Sequence, residues 1–378
     1  MNVAIVCYPT FGGSGVVATE LGIELSKRGH NIHFITYRQP VRLETLSHPT
    51  IHFHEVNVPD YPLFKYQPYE LALSSRLLNV VKANEIDVLH VHYAIPHAYA
   101  AYMAKKMLKD EGIHLPIVTT LHGTDITLVG SHPFYKPAVS FSINHSDRVT
   151  AVSESLKQDT LRLFEVRKKI EVIPNFIDFA RIDGKEKPCS RSLLAAKEEK
   201  ILTHISNFRP LKRIQDVIGI FERVAPHIKS KLMMVGEGPE RAAAIEYVEE
   251  KGLSEKVLFL GNSDEIDKIL CYSDLFLLPS ETESFGLAAL EAMAHGVPVI
   301  SSNAGGIPEV NINGYSGFLS EIGNVDEMAK NALTLLNDDY LHKKYKKQAI
   351  SQAKKFSSEL VVSQYEKIYA EAIESIRF

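Results

Sequence analysis

The feature that most constrains the fold is a rhythm that repeats along the whole chain. A short β-branched apolar run is followed by a turn with glycine or proline and then by a stretch with helical spacing. Strands that are apolar along their length and alternate with helices indicate parallel sheets covered on both faces. The predicted strands are 3–7, 32–36, 88–92, 117–121, 148–152, 201–206, 231–235, 257–260, 275–278 and 297–301. This pattern predicts an α/β protein built from Rossmann-like, doubly wound parallel sheets.

The predicted strands fall into two sets, which indicates two domains. A charged stretch without strand signal, 182–200, separates them. A chain of 378 residues has the length of two ordinary domains, each with its own core. We predict an acceptor-binding domain over 1–171, a donor-binding domain over 172–356 and a final helix over 357–378 that packs back on the first. Ligands of such sheets bind beyond the carboxyl ends of the strands, so we expect the two domains to face a ligand-binding cleft.

Composition and charge exclude several classes of protein. The net charge of -4, from 42 basic and 46 acidic residues, gives no broad cationic field for nucleic acid. The apolar runs are shorter than the ~18 residues that a bilayer-spanning helix needs. No basic leader precedes the first run, as it would in a secretion signal. We expect a cytoplasmic protein without membrane insertion, and the composition leaves a homo-oligomer open.

The three cysteines, Cys7, Cys189 and Cys271, lie far apart in the sequence. They form no Cys-x-x-Cys pair and their number is odd. The spacing therefore predicts no disulfide framework.

A glycine-rich turn, 11–15, lies between the first predicted strand and a helix. Glycines such as Gly13 let a ligand approach the backbone, and a helix N-terminus favours negative charge. The dinucleotide fingerprint also needs a third glycine and an acidic residue about twenty positions later. Ala18 replaces that glycine, and the second strand runs into Tyr37 and Arg38 without a carboxylate for a ribose. The loop disfavours NAD and leaves two interpretations, a tight turn or an anion site.

Two carboxylates flank the start of the helix that follows strand 275–278. Glu283 lies in the loop before the helix, and Glu291 lies about one turn inside it. Carboxylates accept hydrogen bonds from paired hydroxyls, such as those of a ribose or a hexose. Free N–H groups around 286–288 are suited to hold a phosphate between them. The alternatives are a helix cap for Glu283 and a solvated face for Glu291, but the apolar residues 292–294 argue against a solvated face.

The stretch 283–310, which reads ESFGLAALEAMAHGVPVISSNAGGIPEV, resembles the nucleotide-sugar motif of retaining glycosyltransferases with the double-Rossmann (GT-B) fold. The glycine loop, a basic pair within 206–213 and the turn at 236–239 occur in the order of that family, so the resemblance covers the whole chain. It implies that Glu291 binds the ribose and Glu283 the sugar. The donor-binding residues that it implies are Gly13, Gly236, Phe285, Gly286, Leu287 and Glu291.

A basic turn and a histidine complete the catalytic residues that the resemblance implies. Arg209 and Lys212 follow the first strand of the second domain, where charge-assisted bonds to a phosphate contribute ~1.5–3 kcal/mol each. The family places an arginine five residues before the lysine, but this chain has Asn207 there, so Arg209 is assigned that role. His122, after strand 117–121, is implied to contact the sugar near the reacting carbon, with Asp125 orienting it or fixing the loop. The implied catalytic residues are His122, Arg209, Lys212 and Glu283.

No cofactor and no metal are predicted. The chain contains no Asp-x-Asp motif, so a metal-held diphosphate is not implied, and cations with helix amides would neutralise the leaving group. His90 and His92 point the same way on one strand, which also suits zinc. No third ligand lies at motif spacing, so we interpret them as core histidines.

Over its full length the sequence is similar to the N-acetylglucosaminyl malate synthases, which begin bacillithiol synthesis. Segments 8–15, 90–97 and 121–130 carry this similarity. It implies UDP-N-acetylglucosamine (UDP-GlcNAc) as donor, L-malate as acceptor and a retained α configuration. A malate pocket needs hydrogen-bond donors and a cation, and the predicted acceptor-binding residues are Ser14, Lys65, Tyr93, Thr124 and Arg148. The alternatives are a UDP-sugar epimerase, a transferase with another small acceptor and a nucleotide-sugar sensor.

Overall fold

The computed structural model describes residues 1–10, 12–43, 48–183, 191, 195–196, 198–263 and 265–376. The chain divides into two units, one formed by Met1–Asn175 with Ser358–Phe378 and the other by Phe176–Ser357. Each unit contains one parallel sheet with helices between its strands. The predicted fold class, α/β with two parallel sheets, is therefore confirmed.

The sheet of the first unit has seven strands in the order β3-β2-β1-β4-β5-β6-β7, all parallel. Its strands are β1 (Asn2–Val6), β2 (Asn31–Thr36), β3 (Ile51–Glu55), β4 (Val88–His92), β5 (Ile117–Leu121), β6 (Arg148–Ala151) and β7 (Ile170–Val172). The helices between them are α1 (Gly13–Lys27), α2 (Tyr69–Asn84), α3 (Tyr99–Asp110), α4 (Lys136–His145) and α5 (Glu154–Leu163). β4 and β5 are buried along their whole length, as expected for central strands covered on both faces.

The sheet of the second unit has six strands in the order β10-β9-β8-β11-β12-β13, again all parallel. Its strands are β8 (Lys200–Ile205), β9 (Ser230–Val235), β10 (Val257–Gly261), β11 (Leu275–Leu278), β12 (Val299–Ser302) and β13 (Gly317–Ser320). The helices are α6 (Phe179–Asp183), α7 (Ile214–Val224), α8 (Arg241–Glu250), α9 (Ile266–Tyr272), α10 (Leu287–Ala294), α11 (Ile307–Val310), α12 (Val325–Leu336) and α13 (Asp339–Ala353).

The last helix, α14 (Ser358–Glu374), belongs to the first unit. Tyr365 and Tyr369 on this helix are among the largest fully buried side chains of the protein. The Tyr369 hydroxyl is hydrogen-bonded to Nδ1 of His90 on β4 at 2.7 Å, and Glu366 pairs with Arg28 at 2.8 Å. α14 therefore contributes core contacts to the first sheet and a surface contact to the end of α1.

None of the helices in the described part of the chain is both long and apolar enough to cross a bilayer. Cys7 is a free, buried thiol, and burial raises its pKa to about 12. Cys271 is disulfide-bonded, which contradicts the expectation drawn from cysteine spacing, because separation in sequence does not limit contact in space. Cys189 lies outside the described residues.

Candidate active site

Three predicted acceptor residues meet at the carboxyl ends of β1, β4 and β5. Ser14 Oγ lies 2.6 Å from the Tyr93 hydroxyl, which is also hydrogen-bonded to the side chain of Thr124. Burial raises the pKa of Tyr93 to about 12, so the phenol stays protonated at neutral pH. Tyr93 has a φ of 86°, a conformation uncommon outside glycine, and strained backbone of this kind clusters at ligand sites. The structure thus brings Ser14, Tyr93 and Thr124 into one group of hydroxyls.

Asp125 joins the loops that follow β4 and β5. Its Oδ1 accepts hydrogen bonds from the backbone N–H groups of His122 and Gly123, at 3.2 and 3.1 Å. Its Oδ2 accepts one from the Ala94 N–H at 2.8 Å. Burial raises the pKa of this carboxyl to about 6. Of the two roles left open, Asp125 fixes the loop and holds the His122 backbone, and it makes no hydrogen bond to the His122 ring.

His122 is only 8% exposed, and its ring is held by a second histidine. Its Nε2 lies 2.7 Å from Nδ1 of His92. Burial lowers the pKa of His122 to about 3, so the ring is neutral at physiological pH. The ring is therefore available to a ligand through Nδ1, as a hydrogen-bond donor or acceptor but not as a cation.

His90 and His92 are core residues, as interpreted from the sequence. Nδ1 and Nε2 of His90 are hydrogen-bonded to Tyr369 and Thr120, both at 2.7 Å. Within the described residues, no group of histidines, cysteines and carboxylates is arranged to hold a metal ion.

The glycine loop positions the start of α1 against the first strand. A Cβ at Gly15 would lie 2.4 Å from the Tyr8 carbonyl oxygen, so only glycine lets the helix approach the strand end so closely. Gly13 is exposed at the first position of α1, which has no side-chain cap. The first two N–H groups of the helix, those of Gly13 and Ser14, precede the first intrahelical hydrogen bond and suit an anion. Phe11 lies outside the described residues.

In the second unit, Lys212 and Glu283 form an ion pair. Lys212 Nζ bonds Glu283 Oε1, and their side chains are 15% and 14% exposed. The backbone N–H of Glu281 donates to the Leu211 carbonyl at 2.8 Å, which joins the loop before α10 to the turn after β8. Arg209 lies in the same turn with its side chain exposed. The cation and carboxylate predicted to act on the donor are thus brought together.

Glycines fix the backbone around this pair. A Cβ at Gly305 would lie 2.0 Å from the Glu283 carbonyl oxygen, which also accepts a 2.9 Å hydrogen bond from Gly306 N–H. Gly236, with a φ of 122°, has the same relation to Ser206, whose carbonyl oxygen would lie 1.8 Å from a Cβ. Gly236 therefore supports the strand-end turn through close backbone packing.

The N-terminus of α10 presents free backbone donors beside Glu283. Gly286 precedes the helix with a φ of 93°, and neither a side-chain cap nor an acidic residue occupies the first turn. Phe285 is buried and packs edge-on against Phe356, so only its backbone is open to a ligand. Leu287 begins the helix, and Glu291 lies one turn further, partly buried. This arrangement favours a diphosphate at the helix end, with a carboxylate on either side.

Two predicted acceptor residues are not brought to the hydroxyl group. Arg148 is the first residue of β6, whereas Tyr93 and Thr124 follow the carboxyl ends of their strands. Arg148 therefore lies where the strands begin, at their amino ends. Its Nε lies 3.6 Å from Glu371 on α14. Lys65 lies in an exposed loop with its ammonium 5.6 Å from the centre of the Tyr66 ring.

Sequence reasoning missed some contributors to the site. Tyr8 follows β1 by two residues, and its ring lies 5.2 Å from that of Tyr93 and 4.6 Å from that of His97. In the second unit, His204 Nε2 lies 2.7 Å from Ser206 Oγ, at the end of β8. The available signal was their position at the end of a predicted strand, where side chains of a parallel sheet meet ligands.

Comparison with known proteins identifies relatives of both halves of the chain. The family model "Glycosyltransferase Family 4" matches residues 11–181, and "Glycosyl transferases group 1" matches residues 187–355. The chain is 47% identical over 376 residues to the N-acetyl-alpha-D-glucosaminyl L-malate synthase of Bacillus anthracis, which covers 99% of this chain and 97% of that protein.

Solved structures with the same fold align over nearly the full length. Sucrose-phosphate synthase from Thermosynechococcus elongatus matches with a TM-score of 0.81 at 18% identity, covering 99% of this chain and 100% of that chain. Alr3699/HepE of Anabaena, solved in complex with UDP and glucose, matches with a TM-score of 0.80 at 19% identity, covering 98% and 99%.

Proposed function

We propose a reaction for this chain from the premise that it belongs to the glycosyltransferase family that includes N-acetyl-alpha-D-glucosaminyl L-malate synthase. The chain transfers N-acetylglucosamine from UDP-GlcNAc to the hydroxyl of L-malate and retains the α configuration. The observation that carries this proposal is 47% identity over 99% of the chain. In this role the enzyme supplies the first intermediate of bacillithiol synthesis.

Donor binding is assigned to the second unit. Glu291 accepts hydrogen bonds from the ribose hydroxyls, and the free N–H groups at Gly286 and Leu287 approach the diphosphate. The ion pair supports this assignment, because Lys212 holds the Glu283 carboxylate in one orientation beside those N–H groups. Glu283 then accepts hydrogen bonds from the hydroxyls of the sugar.

Acceptor binding is assigned to the hydroxyl group of the first unit. Ser14, Tyr93 and Thr124 are close enough to bond one another, so they can converge on one carboxylate of malate. The uncapped first turn of α1, which begins at Gly13, adds backbone N–H donors to the same region. Lys65 and Arg148 are left out of this assignment because the structure does not bring them to the group.

The proposed chemistry is a same-face displacement at the anomeric carbon. The bond from that carbon to the β-phosphate oxygen breaks, and its electron pair leaves with UDP. The malate hydroxyl forms the new bond on the same face, and its proton passes to the departing phosphate oxygen. Lys212, Arg209 and the α10 amides stabilise the charge on the diphosphate, so no metal is required. Glu283 orients the sugar and forms no bond to carbon.

The test is an assay with UDP-GlcNAc and L-malate, following UDP release and the product mass. We expect product only when both substrates are present, undiminished by EDTA, with an α anomeric coupling constant by NMR. D-malate and a panel of other hydroxy acids are the acceptor controls. Transfer only to another acceptor would contradict malate, isomerisation of the donor alone would indicate an epimerase, and binding without turnover would indicate a sensor. Loss of activity in EDTA that Mg²⁺ restores would contradict the metal-free step.

A further inference from the structure

We propose that His92 is a positioning residue that fixes His122 in the tautomer with its proton on Nδ1, so that His122 meets the donor sugar as an N–H donor. The sugar contact rests on the proposed function. The tautomer rests only on the contacts of the two rings and can be measured separately.

The two histidines form a neutral, hydrogen-bonded pair. His92 ends β4 and His122 follows β5, and these neighbouring strands bring His92 Nδ1 within 2.7 Å of His122 Nε2. Burial lowers the pKa of both rings, that of His122 to about 3 and that of His92 well below its usual value. A neutral imidazole has one N–H donor and one acceptor. One ring therefore donates and the other accepts.

The other nitrogen of His92 decides the direction of this hydrogen bond. Nε2 of His92 is buried and has no hydrogen-bond partner in the described structure. If His92 accepted at Nδ1, its proton would lie on Nε2 as a buried donor without an acceptor. If His92 donates from Nδ1, Nε2 keeps only a lone pair. Orphaned N–H groups in protein interiors are rarer than unsatisfied acceptors, so His92 donates and His122 accepts at Nε2.

The neighbouring histidines leave this assignment in place. Both nitrogens of His90 are already bonded, to Tyr369 and Thr120. His97 donates from Nδ1 to the backbone carbonyl of His92 at 2.6 Å, so its proton lies on Nδ1, and its Nε2 has no partner either. Neither the His90 ring nor the His97 ring therefore accepts a hydrogen bond from His92 Nε2.

The consequence for catalysis is that His122 presents N–H from Nδ1 to the ligand side. Its backbone is held by Asp125 and its Nε2 by His92, so the ring is fixed at two points. An Nδ1 that carries a proton cannot take another from the malate hydroxyl. His122 therefore binds a sugar oxygen, and the acceptor proton leaves by another route, to the diphosphate.

The direct test is NMR of protein labelled with ¹⁵N in the histidine rings, which distinguishes protonated from unprotonated nitrogens. The His122 signals are assigned by their loss in His122→Asn. We expect a protonated Nδ1 and an unprotonated Nε2 in the wild type. A protonated Nε2, or a mixture of the two tautomers, would overturn the proposal whether or not the protein makes the malate product.

Variants of His92 test the role in catalysis. His92→Asn keeps an N–H at the position of Nδ1, so we expect the His122 tautomer to persist and kcat to stay within about threefold. His92→Phe removes that donor and leaves only a ring face, which accepts a weak N–H···π contact. We therefore expect His122 to populate both tautomers and kcat to fall about three- to tenfold, with KM for UDP-GlcNAc changing less. An unchanged tautomer in His92→Phe contradicts the proposal.

His90→Asn is the matched control. His90 is on the same strand and equally buried, and its ring centre lies 4.4 Å from that of His92, but it makes no hydrogen bond to His122. We expect it to lower the melting temperature without changing the His122 tautomer. An equal tautomer shift in His90→Asn would assign the effect to core disruption and contradict the role of His92.

Discussion

At the scale of single residues, the Lys212–Glu283 pair is the feature on which the proposed donor site depends. Both side chains are mostly buried, and the Glu283 backbone is held by Gly305 and Gly306. A carboxylate fixed in this way keeps its orientation when a sugar hydroxyl arrives. Its contribution to catalysis can therefore be separated from its contribution to stability.

We expect Glu283→Gln to lower kcat/KM about 10- to 100-fold, since it loses charge-assisted hydrogen bonds that contribute ~1.5–3 kcal/mol. The matched control is Glu281→Gln, in the same loop but with an exposed side chain. Steady-state kinetics with circular dichroism as a folding check make the measurement. Equal losses in the two variants, or wild-type turnover in Glu283→Gln, would remove Glu283 from the site.

The acceptor residues give a second prediction at this scale. Tyr93→Phe removes a hydroxyl that bonds Ser14, so we expect the KM for malate to rise about 3- to 10-fold, as for one lost hydrogen bond, with KM for UDP-GlcNAc unchanged. Arg148→Gln, at the amino ends of the strands, should leave the KM for malate unchanged. A selective rise in Arg148→Gln would show that the acceptor binds elsewhere.

At the scale of elements, the turn before α11 positions the loop that carries Glu283 through backbone contact. Gly305 has a φ of 52°, and a Cβ there would overlap the Glu283 carbonyl. Gly314 has a φ of 73° but would meet nothing within 4 Å. A comparison of alanine substitutions at these two glycines therefore separates the effect of backbone strain from the effect of displacing the loop.

We expect Gly305→Ala to lower both kcat and the melting temperature, because the loop that carries Glu283 has to move. Gly314→Ala should lower the free energy of unfolding by about 1 kcal/mol, and with it the melting temperature, and leave kcat unchanged. Thermal melts and kinetics on the two variants make the comparison. Wild-type kcat in Gly305→Ala would contradict the role of this turn.

The elements also define how far the sequence predicts the structure. Continuous apolar runs predicted central strands such as β4 and β5 to the residue. Three strands were not predicted, and all three lie at sheet edges, where one side is open and the apolar signal is weak. In β3 apolar and polar residues are mixed, β7 has only three residues and β13 has four.

The sequence does not show how site residues are arranged where the arrangement depends on position within a strand or on the neighbouring strand. The assignment of Arg148 rests on a family position, although the predicted strand 148–152 already begins with it, away from the carboxyl ends where ligands bind. His92 and His122 meet because β4 and β5 pair in one register, and that register is set by packing of the whole sheet. Glu283 and Lys212, which are 71 positions apart, were assigned separate roles at the donor site, and the ion pair between them was not predicted.

At the scale of the whole molecule, buried neutral histidines set the response to acid. Burial lowers the pKa of His90 and His122 to about 3 and that of His97 and His204 to about 4. In the unfolded chain these groups titrate near 6.5. The unfolded state therefore binds more protons below that pH, and the stability that the neutral rings contribute is present above 6.5 and lost as the pH falls.

We expect the free energy of unfolding to decrease steadily from pH 7 to pH 5, measured by urea titration. His204→Gln should reduce the slope, because it removes one proton-binding difference between the two states. Asp125 acts in the opposite sense, since its raised pKa of about 6 favours the folded state at the acid end of this range. A stability that is constant or rises toward pH 5 would contradict the assignment of neutral histidines.

The position of α14 has a consequence for how the protein is made. A ribosome completes the strands of the first sheet early, but Tyr365 and Tyr369, which fill its core beside β4, emerge only after the whole second unit. Part of the interior of the nascent first half therefore stays uncovered while the entire second unit is translated. A fragment that stops at residue 175 therefore lacks part of its own core, whereas the second unit is continuous from residue 176 to 357.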